Sequence, residues 1–305
     1  MAKILILGCS GFIGKALTKE LSKTNKVVGF DRYISDELLD LDNVKLVTGD
    51  FTKYEYFDSL LDGIDVVVHL ICTTIPKDDT KNITEEIVEN LIPTINLMES
   101  MVRCNIREII FASSAGTVYG ETGETINTYN SPLNPICSYG VLKQIMENYI
   151  NFYNLRYGIN HKIMRITNPY GWGQDKNKGQ GLIPILVNKI KMQEEVFIWG
   201  DGKNLRDYVF MDDVVKAVSK IISYKGSRHI FNIGYGKYYN IFDVIEKIQR
   251  ESGKVFKNIR CVEARFCDVK KSYVDLSESQ KELEWYPCVD LDTGIKLTIE
   301  NLIND

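Results

Sequence analysis

The chain opens with Met1-Ala-Lys-Ile-Leu-Ile-Leu-Gly8-Cys-Ser-Gly11-Phe-Ile-Gly14, and this stretch says most about its architecture. The apolar run Ile4–Leu7 is typical of a central parallel strand that is buried on both faces. Three glycines with the spacing G-x-x-G-x-x-G follow directly, and the periodicity from Lys15 to Lys23 then predicts an amphipathic helix. Bare Cα atoms let a diphosphate approach the backbone, and the free N–H groups of a helix N-terminus favour its charge, so the stretch predicts an anion site.

A phosphate-binding NTPase loop is the rival interpretation of these glycines. That loop requires the pattern G-x-x-x-x-G-K-[ST]. Here Gly8 and Gly14 are one residue too far apart, and Lys15 is followed by Ala16 rather than by a hydroxyl residue. The sequence therefore argues against the NTPase loop.

A second predicted strand, Val27–Asp31, favours a dinucleotide site. Asp31 ends this strand at the distance where such sites bind the ribose hydroxyls. A carboxylate repels a 2′-phosphate, so Asp31 favours NAD over NADP, although the neighbouring Arg32 weakens that preference. Asp50 follows the third predicted strand, where it is placed either to accept hydrogen bonds from an adenine amino group or to lie in a solvated turn.

The composition narrows the class of protein. A chain of 305 residues with 44% hydrophobic content can bury a full core. A formal net charge of −4 implies no basic face, so we expect no nucleic-acid partner. The seven cysteines lack C-x-x-C pairs and only three histidines are present, so we expect reduced thiols and no metal site. The apolar runs are too short for a signal peptide or a membrane span, so we expect a cytoplasmic protein without a membrane partner.

Strand-like and helix-like segments alternate through the first half, which predicts an α/β fold with a doubly wound parallel sheet. The further predicted strands are Val44–Val47, Asp65–Leu70, Glu108–Ser113, His161–Arg165, Val196–Trp199 and Phe231–Gly234. The further predicted helices are Tyr54–Leu61, Thr84–Cys104, Tyr139–Tyr157, Gly181–Met192, Met211–Ser223, Ile241–Ser252 and Asp275–Trp285. A loop is predicted for Asn168–Gly181. Open α/β sheets bind ligands at the carboxyl ends of their strands, and we expect the C-terminal portion to fold over that edge.

The segment Tyr139-Gly-Val-Leu-Lys143 places a phenol and an ammonium one helical turn apart on a single face. A tyrosine with its ordinary pKa of about 10 is a poor base at neutral pH. A neighbouring lysine, together with a positive nicotinamide ring, is expected to lower that pKa. Tyr139 can then take a proton from a sugar hydroxyl while a hydride leaves for NAD.

These features, with others in order along the chain, resemble the extended short-chain dehydrogenase/reductases, and within them the NAD-dependent nucleotide-sugar epimerase/dehydratase branch. The resemblance covers essentially the whole chain. Its motifs are Gly8–Gly14, Asp31, Asp50, Ser113–Gly120, Tyr139–Lys143 and Asn168–Gly173, followed by segments that begin at Trp199, Arg265 and Asp275.

The resemblance implies a Rossmann-type sheet with a smaller C-terminal α/β domain that binds the substrate. The NAD-binding domain is expected to comprise residues 1–168 with about 208–235, and the nucleotide-sugar-binding domain residues 169–207 and 236–305. The resemblance also implies a homodimer, in which Thr84–Cys104 and Tyr139–Tyr157 pair across the interface.

The resemblance further assigns roles to particular residues. Tyr139 is the general base and acid, Lys143 holds the nicotinamide ribose, and Asn168 contacts the diphosphate region of the substrate. Arg206 and Arg265 clamp the nucleotide phosphates, which suits guanidinium groups because they bind phosphate oxygens in bidentate fashion. The implied cofactor-binding residues are Gly8, Gly11, Phe12, Ile13, Gly14, Asp31, Arg32, Asp50, Phe51, Leu70, Asn90, Tyr139 and Lys143. The implied substrate-binding residues are Asn168, Arg206, Arg265, Asp268 and Ser272, and the small Ser272 predicts tolerance of an N-acetyl group at the sugar's 2-position.

The chain departs from the family pattern at Ala115. Members usually carry Ser or Thr there, four residues before the tyrosine of the V-Y-G motif, to bond the reacting hydroxyl. Ser114 or Thr117 must supply that hydroxyl, or Tyr139 works without it. Thr117 is favoured because alternation along an extended segment puts it on the same side as Ala115. Residues 115–117 hold no carboxylate, which argues against a sugar 4,6-dehydratase.

The sequence therefore predicts an NAD-dependent 4-epimerase of a UDP-hexose or a UDP-N-acetylhexosamine that acts through a 4-keto intermediate. A nucleotide-sugar 4-ketoreductase that uses NAD(P)H shares every motif and remains an alternative. A catalytically silent NAD-binding sensor is a second alternative, motivated by Ala115.

Overall fold

The computed structural model describes residues 1–54, 56–76, 82–174 and 181–304. Its strands are β1 (Lys3–Leu7), β2 (Lys26–Asp31), β3 (Val44–Thr48), β4 (Val66–His69), β5 (Glu108–Ser114), β6 (Ile126–Asn127), β7 (Asn160–Ile166), β8 (Asn168–Tyr170), β9 (Val196–Trp199), β10 (Arg206–Phe210), β11 (Ile230–Ile233), β12 (Tyr238–Tyr239), β13 (Ile259–Val262) and β14 (Tyr273–Val274). Its α-helices are α1 (Phe12–Leu21), α2 (Ile83–Glu86), α3 (Ile92–Arg103), α4 (Ala115–Val118), α5 (Ser138–Tyr157), α6 (Leu182–Met192), α7 (Met211–Ser223), α8 (Ile241–Ser252), α9 (Ser277–Leu283) and α10 (Leu291–Asn304).

Seven parallel strands form the main sheet, in the order β11-β7-β5-β4-β1-β2-β3. The central strand β1 is apolar because helices cover the sheet on both sides, and Ile4–Leu7 has no solvent exposure. Burying a side chain of this size contributes about 1.5–3 kcal/mol. From β1 the chain first winds outward through β2 and β3, and then in the other direction through β4. The reversal leaves a crevice at the carboxyl ends of β1 and β4, where ligands bind in such sheets. The predicted α/β doubly wound fold is confirmed.

Two apolar layers hold the helices against this sheet. On one face α1 packs beside α7, with Leu17 and Val218 in the shared core. On the other face α3 and α5 pack side by side, with Leu97 and Met146 buried between them and the strands. The two helices that carry the glycine stretch and the Y-x-x-x-K motif therefore lie on opposite faces and begin at the same edge.

A smaller unit covers that edge. It comprises the three-stranded sheet β12-β10-β8, the two-stranded sheet β13-β9 and the helices α6, α8 and α10. These helices share a core of their own, which includes Leu186, Ile248 and Ile295. The chain enters this unit at β8, returns to the main sheet for α7 and β11, and enters the unit again at β12. A short ladder of β14 with β6 ties its C-terminal segment to the loop that follows β5.

The predicted helix Tyr54–Leu61 is wrong, although residue 55 lies outside the described residues. The chain forms a 3-10 turn over Phe51–Lys53 and then a turn in which the N–H of Leu61 donates to the carbonyl of Phe57 at 3.0 Å. The side chain of Asp50 caps this 3-10 turn by accepting from the N–H of Thr52 at 3.1 Å, so the helical turn begins before the predicted helix and ends at Tyr54. Phe57 and Leu61 have the spacing of a helix face because both side chains are buried in the core, but they reach it from turns and not from a helix.

Three other predicted elements differ in detail. The helical segment predicted for Thr84–Cys104 contains a π-helical turn over Ile87–Leu91 between α2 and α3. The predicted loop Asn168–Gly181 begins with strand β8, because its backbone pairs with β10, a strand that sequence reasoning missed; residues 175–180 lie outside the described residues. The helix predicted to end at Trp285 is not the last one of the chain, since α10 follows it and packs on α8.

Candidate active site

A cavity of about 1210 Å³ lies between the sheet edge and the smaller unit. The loops that follow β1, β4 and β5, the start of α5, and β8 supply its wall on the sheet side. Arg206, Asp268 and the first turn of α6 supply the opposite wall. Some of the residues from each predicted group (cofactor, catalysis and substrate) therefore share one cavity.

The glycine stretch forms the floor of the cavity at its cofactor end. Gly8 has a φ of +90°, which favours glycine, and its carbonyl accepts from the N–H of Gly11 at 3.1 Å. A Cβ built on Gly14 lies 1.9 Å from the Gly8 oxygen, so a side chain at Gly14 is excluded. The first turn of α1 begins at Phe12, and its free N–H groups meet the same space. This cradle fits the diphosphate of a dinucleotide.

Arg32 connects two acidic residues by hydrogen bonds: Asp31, which ends β2, and Asp50, which follows β3. Asp31 accepts from the N–H of Ser10 at 2.9 Å and from the N–H of Arg32 at 2.7 Å. The guanidinium of Arg32 donates to Asp50 at 2.9 Å. Partial burial pushes the pKa of Asp50 upward, but the bonds from Arg32 and Thr52 prevail and hold it below its ordinary value. Arg32 is therefore engaged by a carboxylate, while Phe51 is buried against the rings of Phe57 and His69.

The Y-x-x-x-K pair lies at the start of α5. Tyr139 lines the cavity, and the ammonium of Lys143 lies 5.7 Å from the centre of its ring and donates to the carbonyl of Ala112 at 2.8 Å. Burial raises the pKa of the Tyr139 phenol well above its ordinary value, and the thiols of Cys72 and Cys137 add to the rise. The expected lowering of this pKa is therefore not a property of the Tyr139–Lys143 pair alone, because burial and the two thiols raise it. A second positive charge in the cavity is needed to favour the phenolate.

The segment with the unusual Ala115 adopts a helical turn, α4, rather than the extended conformation that sequence reasoning assumed. Ala115 is fully buried, and its carbonyl accepts from the hydroxyl of Ser272 at 3.2 Å. Thr117 lines the cavity, and its buried hydroxyl oxygen has no hydrogen-bond partner in the part of the chain that the structure describes. A Cβ built on Gly140 lies 3.0 Å from the Thr117 carbonyl, so the turn and the start of α5 are in contact. Ser114 also lies in the cavity wall, beside this turn.

The predicted substrate residues divide into two groups. Asn168, Arg206 and Asp268 line the cavity; Asn168 donates to the Asp207 carbonyl at 2.8 Å, and Arg206 lies 4.0 Å from Asp268. Arg265 instead stacks over Trp199, with 4.2 Å between the guanidinium carbon and the indole centre. Ser272 is buried behind α4. The structure thus brings three of the five together at the cavity.

Asn90 also lies behind the cavity wall rather than in it. Its amide donates to the hydroxyl of Thr73 at 2.8 Å, and its oxygen accepts from the N–H of Thr73 at 2.8 Å. Thr73 itself lines the cavity beside Leu70. Asn90 therefore holds the loop that follows β4 against the π-helical turn.

Lys15 and Glu37 are wall residues that sequence reasoning missed. The ammonium of Lys15 lies 2.5 Å from Glu37, and Lys19 bonds the other oxygen of the same carboxylate at 2.6 Å. A lysine in the first turn of a helix opposes the helix dipole, and Glu37 offsets that charge. Lys15 could have been identified from the sequence, because it directly follows Gly14. Nothing in the sequence indicated that Glu37 would lie in the wall.

The chain matches a family described as NAD dependent epimerase/dehydratase over residues 4–234. A putative UDP-glucose 4-epimerase from Methanocaldococcus jannaschii is 32% identical over 311 residues, which cover 99% of each chain. The dTDP-4-dehydro-6-deoxyglucose reductase of Escherichia coli is also 32% identical over 311 residues, covering 98% of this chain and 97% of the relative.

Solved structures match over the same extent. The UDP-glucose 4-epimerase of Thermotoga maritima, solved with UDP-glucose, has a TM-score of 0.92 at 28% identity, and 99% of each chain is covered. The protein MoeE5, in complex with UDP-glucuronic acid and NAD, has a TM-score of 0.90 at 26% identity with the same coverage. These structural matches therefore extend over the sheet, the smaller unit and the cavity between them.

Proposed function

Because this chain belongs to the NAD-dependent epimerase/dehydratase family, we propose that it interconverts the C4 epimers of a nucleotide-linked hexose, a UDP-hexose or a UDP-N-acetylhexosamine. NAD is the cofactor. The observation that carries the proposal is the meeting of Tyr139, Thr117 and the glycine cradle in one cavity that also holds Arg206.

The residues around the cradle fit the cofactor. The first turn of α1 would hold the diphosphate, Asp31 the adenosine ribose and Lys143 the nicotinamide ribose. When bound, NAD supplies an acceptor and later a donor of hydride for the sugar C4 and a positive ring near Tyr139. The ion pair of Arg32 with Asp50 keeps Asp31 the dominant charge at the ribose, which supports NAD over NADP.

Tyr139 acts as the base and then as the acid. Its phenolate removes the proton from the 4-hydroxyl as C4 becomes a ketone, and it returns the proton after the sugar has turned. Thr117 offers its hydroxyl, which has no partner among the described residues, to the same oxygen, in place of the family hydroxyl that is missing at Ala115. Arg206 and Asn168 hold the nucleotide, while the hexose must be held loosely enough to present its other face.

A 4-ketoreductase is the second candidate, and the reductase of Escherichia coli at 32% identity favours it. The two reactions differ in how the cofactor is used. An epimerase recycles one bound NAD, whereas a ketoreductase exchanges NAD(P)H in every cycle.

The test combines cofactor content with a substrate panel. We expect the purified protein to release about one NAD per chain when it is denatured. Incubation with UDP-, dTDP- and GDP-sugars, including UDP-N-acetylglucosamine, is followed by NMR of the anomeric protons. New 4-epimer signals without added cofactor are the expected result. Turnover only of 4-keto sugars, and only with added NAD(P)H, would establish the reductase instead.

The hydroxyl of Thr117 has a large expected effect on turnover. Thr117→Val keeps the volume and removes the hydroxyl, so kcat should fall roughly 10²-fold, as when one donor to a reacting oxygen is lost. Thr117→Ser should keep most of the activity, and Ser114→Ala tests the other candidate hydroxyl. Steady-state kinetics on the active sugar measure this. If Ser114→Ala lost all activity while Thr117→Val kept the wild-type kcat, the role would belong to the Ser114 hydroxyl instead.

We further propose that the protein is a homodimer. Exposed apolar side chains lie on the π-helical turn, the start of α3 and α5, including Val88, Ile92, Val141, Tyr149 and Phe152, which is 51% exposed. An apolar face of this kind on a soluble domain marks an interaction surface. Because the two helices lie side by side, a second copy of the same pair can cover them in a four-helix arrangement.

Phe152→Glu is expected to convert the dimer to a monomer, because it buries an unpaired charge in the proposed interface. Sedimentation velocity measures the mass. Met192→Glu on α6 is the matched control, since Met192 is 61% exposed and lies on another helix. An unchanged dimer in Phe152→Glu would contradict this interface.

A further inference from the structure

A chain of buried polar side chains lies behind the catalytic wall, and the proposed reaction does not use it directly. Glu147 on α5 and Arg165 on β7 are 4% and 3% exposed. Arg165 Nη2 lies 2.7 Å from Glu147 Oε2, and its Nε donates to both carboxylate oxygens at 3.2 Å. The pair is thus a bidentate, almost fully desolvated ion pair.

Glu147 attaches α5 to β7 through this ion pair and to β5 through Ser113, in register with the Tyr139–Lys143 motif. Glu147 follows Lys143 by one helical turn on the same face. The carbonyl of Ala112 accepts from Lys143 at 2.8 Å, and the hydroxyl of the next residue, Ser113, donates to Glu147. Ser113 also stands directly opposite Arg165 in the β5–β7 pairing. Two consecutive strand residues therefore hold two consecutive turns of the catalytic helix.

The same pair also reaches the turn that carries Thr117. Arg165 Nη1 donates to the hydroxyl of Tyr119 at 3.0 Å, and Tyr119 directly follows α4. The Tyr119 hydroxyl in turn donates to Asn232 at 2.7 Å, and Asn232 donates to the carbonyl of Asp275 at 3.2 Å. One connected network thus contacts α5, the Thr117 turn and the segment that leads into α9.

We propose that Glu147 and Arg165 are positioning residues for the reaction, which place Tyr139 and Lys143 relative to Thr117 by fixing α5 against β5, β7 and the turn. The proposal rests on the proposed function of Tyr139. Stability alone does not require an ion pair here, because apolar residues of similar volume are often as stabilising as a buried pair. The pair instead provides directional bonds to Ser113 and Tyr119, which apolar residues lack.

The test replaces both charges together. Removing Glu147 alone leaves a buried, unpaired guanidinium, and that variant can fail to fold. The double variant Glu147→Gln/Arg165→Met keeps the volume and the neutrality of the pair. A misplacement on the order of 1 Å costs about 10²-fold in rate. We therefore expect a folded protein whose kcat falls 10- to 100-fold, with an unchanged KM for the sugar and unchanged bound NAD.

The second readout is the titration of the Tyr139 phenol in the NAD-loaded protein, followed by NMR with labelled tyrosine and assigned with Tyr139→Phe. The titratable groups around this phenol are Lys143, Cys72 and Cys137. The Lys143 ammonium is held by the Ala112 carbonyl on β5 while the Tyr139 ring moves with α5, so a shift of the helix changes their separation. Because the double variant leaves the net charge unchanged, a midpoint about 1 pH unit higher reports that change. This titration can be measured without turnover of a sugar. It therefore tests the positioning role of the ion pair even if the proposed epimerase activity is wrong.

Asp292→Asn is the matched control, since it breaks the ion pair with Lys247 between α10 and α8, and neither residue is among those that line the cavity. It should leave kcat and the Tyr139 midpoint unchanged. Tyr119→Phe, which removes one hydroxyl from the network, should lower kcat several-fold with the same unchanged KM. A folded double variant with wild-type kcat and phenol titration overturns the proposal. If the double variant does not fold, the proposal is overturned when Tyr119→Phe has the wild-type kcat and the wild-type titration midpoint of Tyr139.

Discussion

Replacing Tyr139 with phenylalanine should lower kcat for the sugar by roughly 10²–10⁴-fold, the contribution expected of a positioned acid–base group. The ring of phenylalanine fills the same space, so the cavity keeps its shape and the cradle for NAD is untouched. The physical reason for the loss is that the 4-hydroxyl then has no group to take its proton. Steady-state kinetics and NAD content, measured on the same preparation, check the two halves of this expectation.

The same variant decides whether the protein is an enzyme or an NAD-binding sensor. A sensor has no sugar conversion to lose, and its affinity for NAD should be the same with either residue. Conversion that persists at the wild-type rate in Tyr139→Phe contradicts the assigned base. Tyr153→Phe on the same helix is a suitable control, because Tyr153 is buried in the core beneath α5 and does not line the cavity.

Gly14→Ala should abolish NAD binding and destabilise the fold by about 3 kcal/mol or more, at the upper end of overpacking effects. The added methyl group would lie 1.9 Å from the carbonyl oxygen of Gly8 and 2.8 Å from its carbonyl carbon. Both atoms belong to the backbone, so no side chain can rotate away. Either α1 moves off the cradle or the loop that follows β1 opens. Denaturant unfolding and NAD content measure the two consequences.

Gly11→Ala provides the graded comparison. Its methyl group would lie 3.2 Å from the same Gly8 oxygen, a contact that a shift of a few tenths of an ångström relieves. This variant should fold, with a smaller loss of stability. Gly14→Ala with wild-type stability and a full complement of NAD would show that α1 does not need this close approach.

The main sheet was predictable because its central strands, such as β1 and β4, are buried on both faces. A continuous apolar run such as Ile4–Leu7 indicates a central strand of an α/β sheet. The glycines after it are needed because the backbone approaches itself closely there. The helices that follow are also amphipathic over several turns. The spacing of Tyr139 and Lys143 was equally informative, since a separation of one helical turn fixes their common face without any knowledge of the fold.

Contacts between distant segments could not be predicted in this way. Arg165 and Glu147 are separated by 18 residues, and Glu37 meets Lys15 only because the chain returns after β2. Strands β8 and β10 are far apart in the sequence, with Asn168 paired to Tyr208, which is why β8 was assigned to a loop. The reasoning for Thr117 also used the wrong local conformation, because the helical turn at Ala115–Val118 depends on packing against α5.

The path of the chain between the two units limits how this protein can be re-engineered. Strand β11 covers the edge of β7, and α7 lies beside α1, yet both follow the first passage through the smaller unit. A fragment that ends before Met211 would lack both and would expose an apolar flank of the sheet. The main sheet and the smaller unit can therefore not be separated by a single cut in the chain. A change of sugar preference has to be made by exchanging individual surface loops around an intact scaffold.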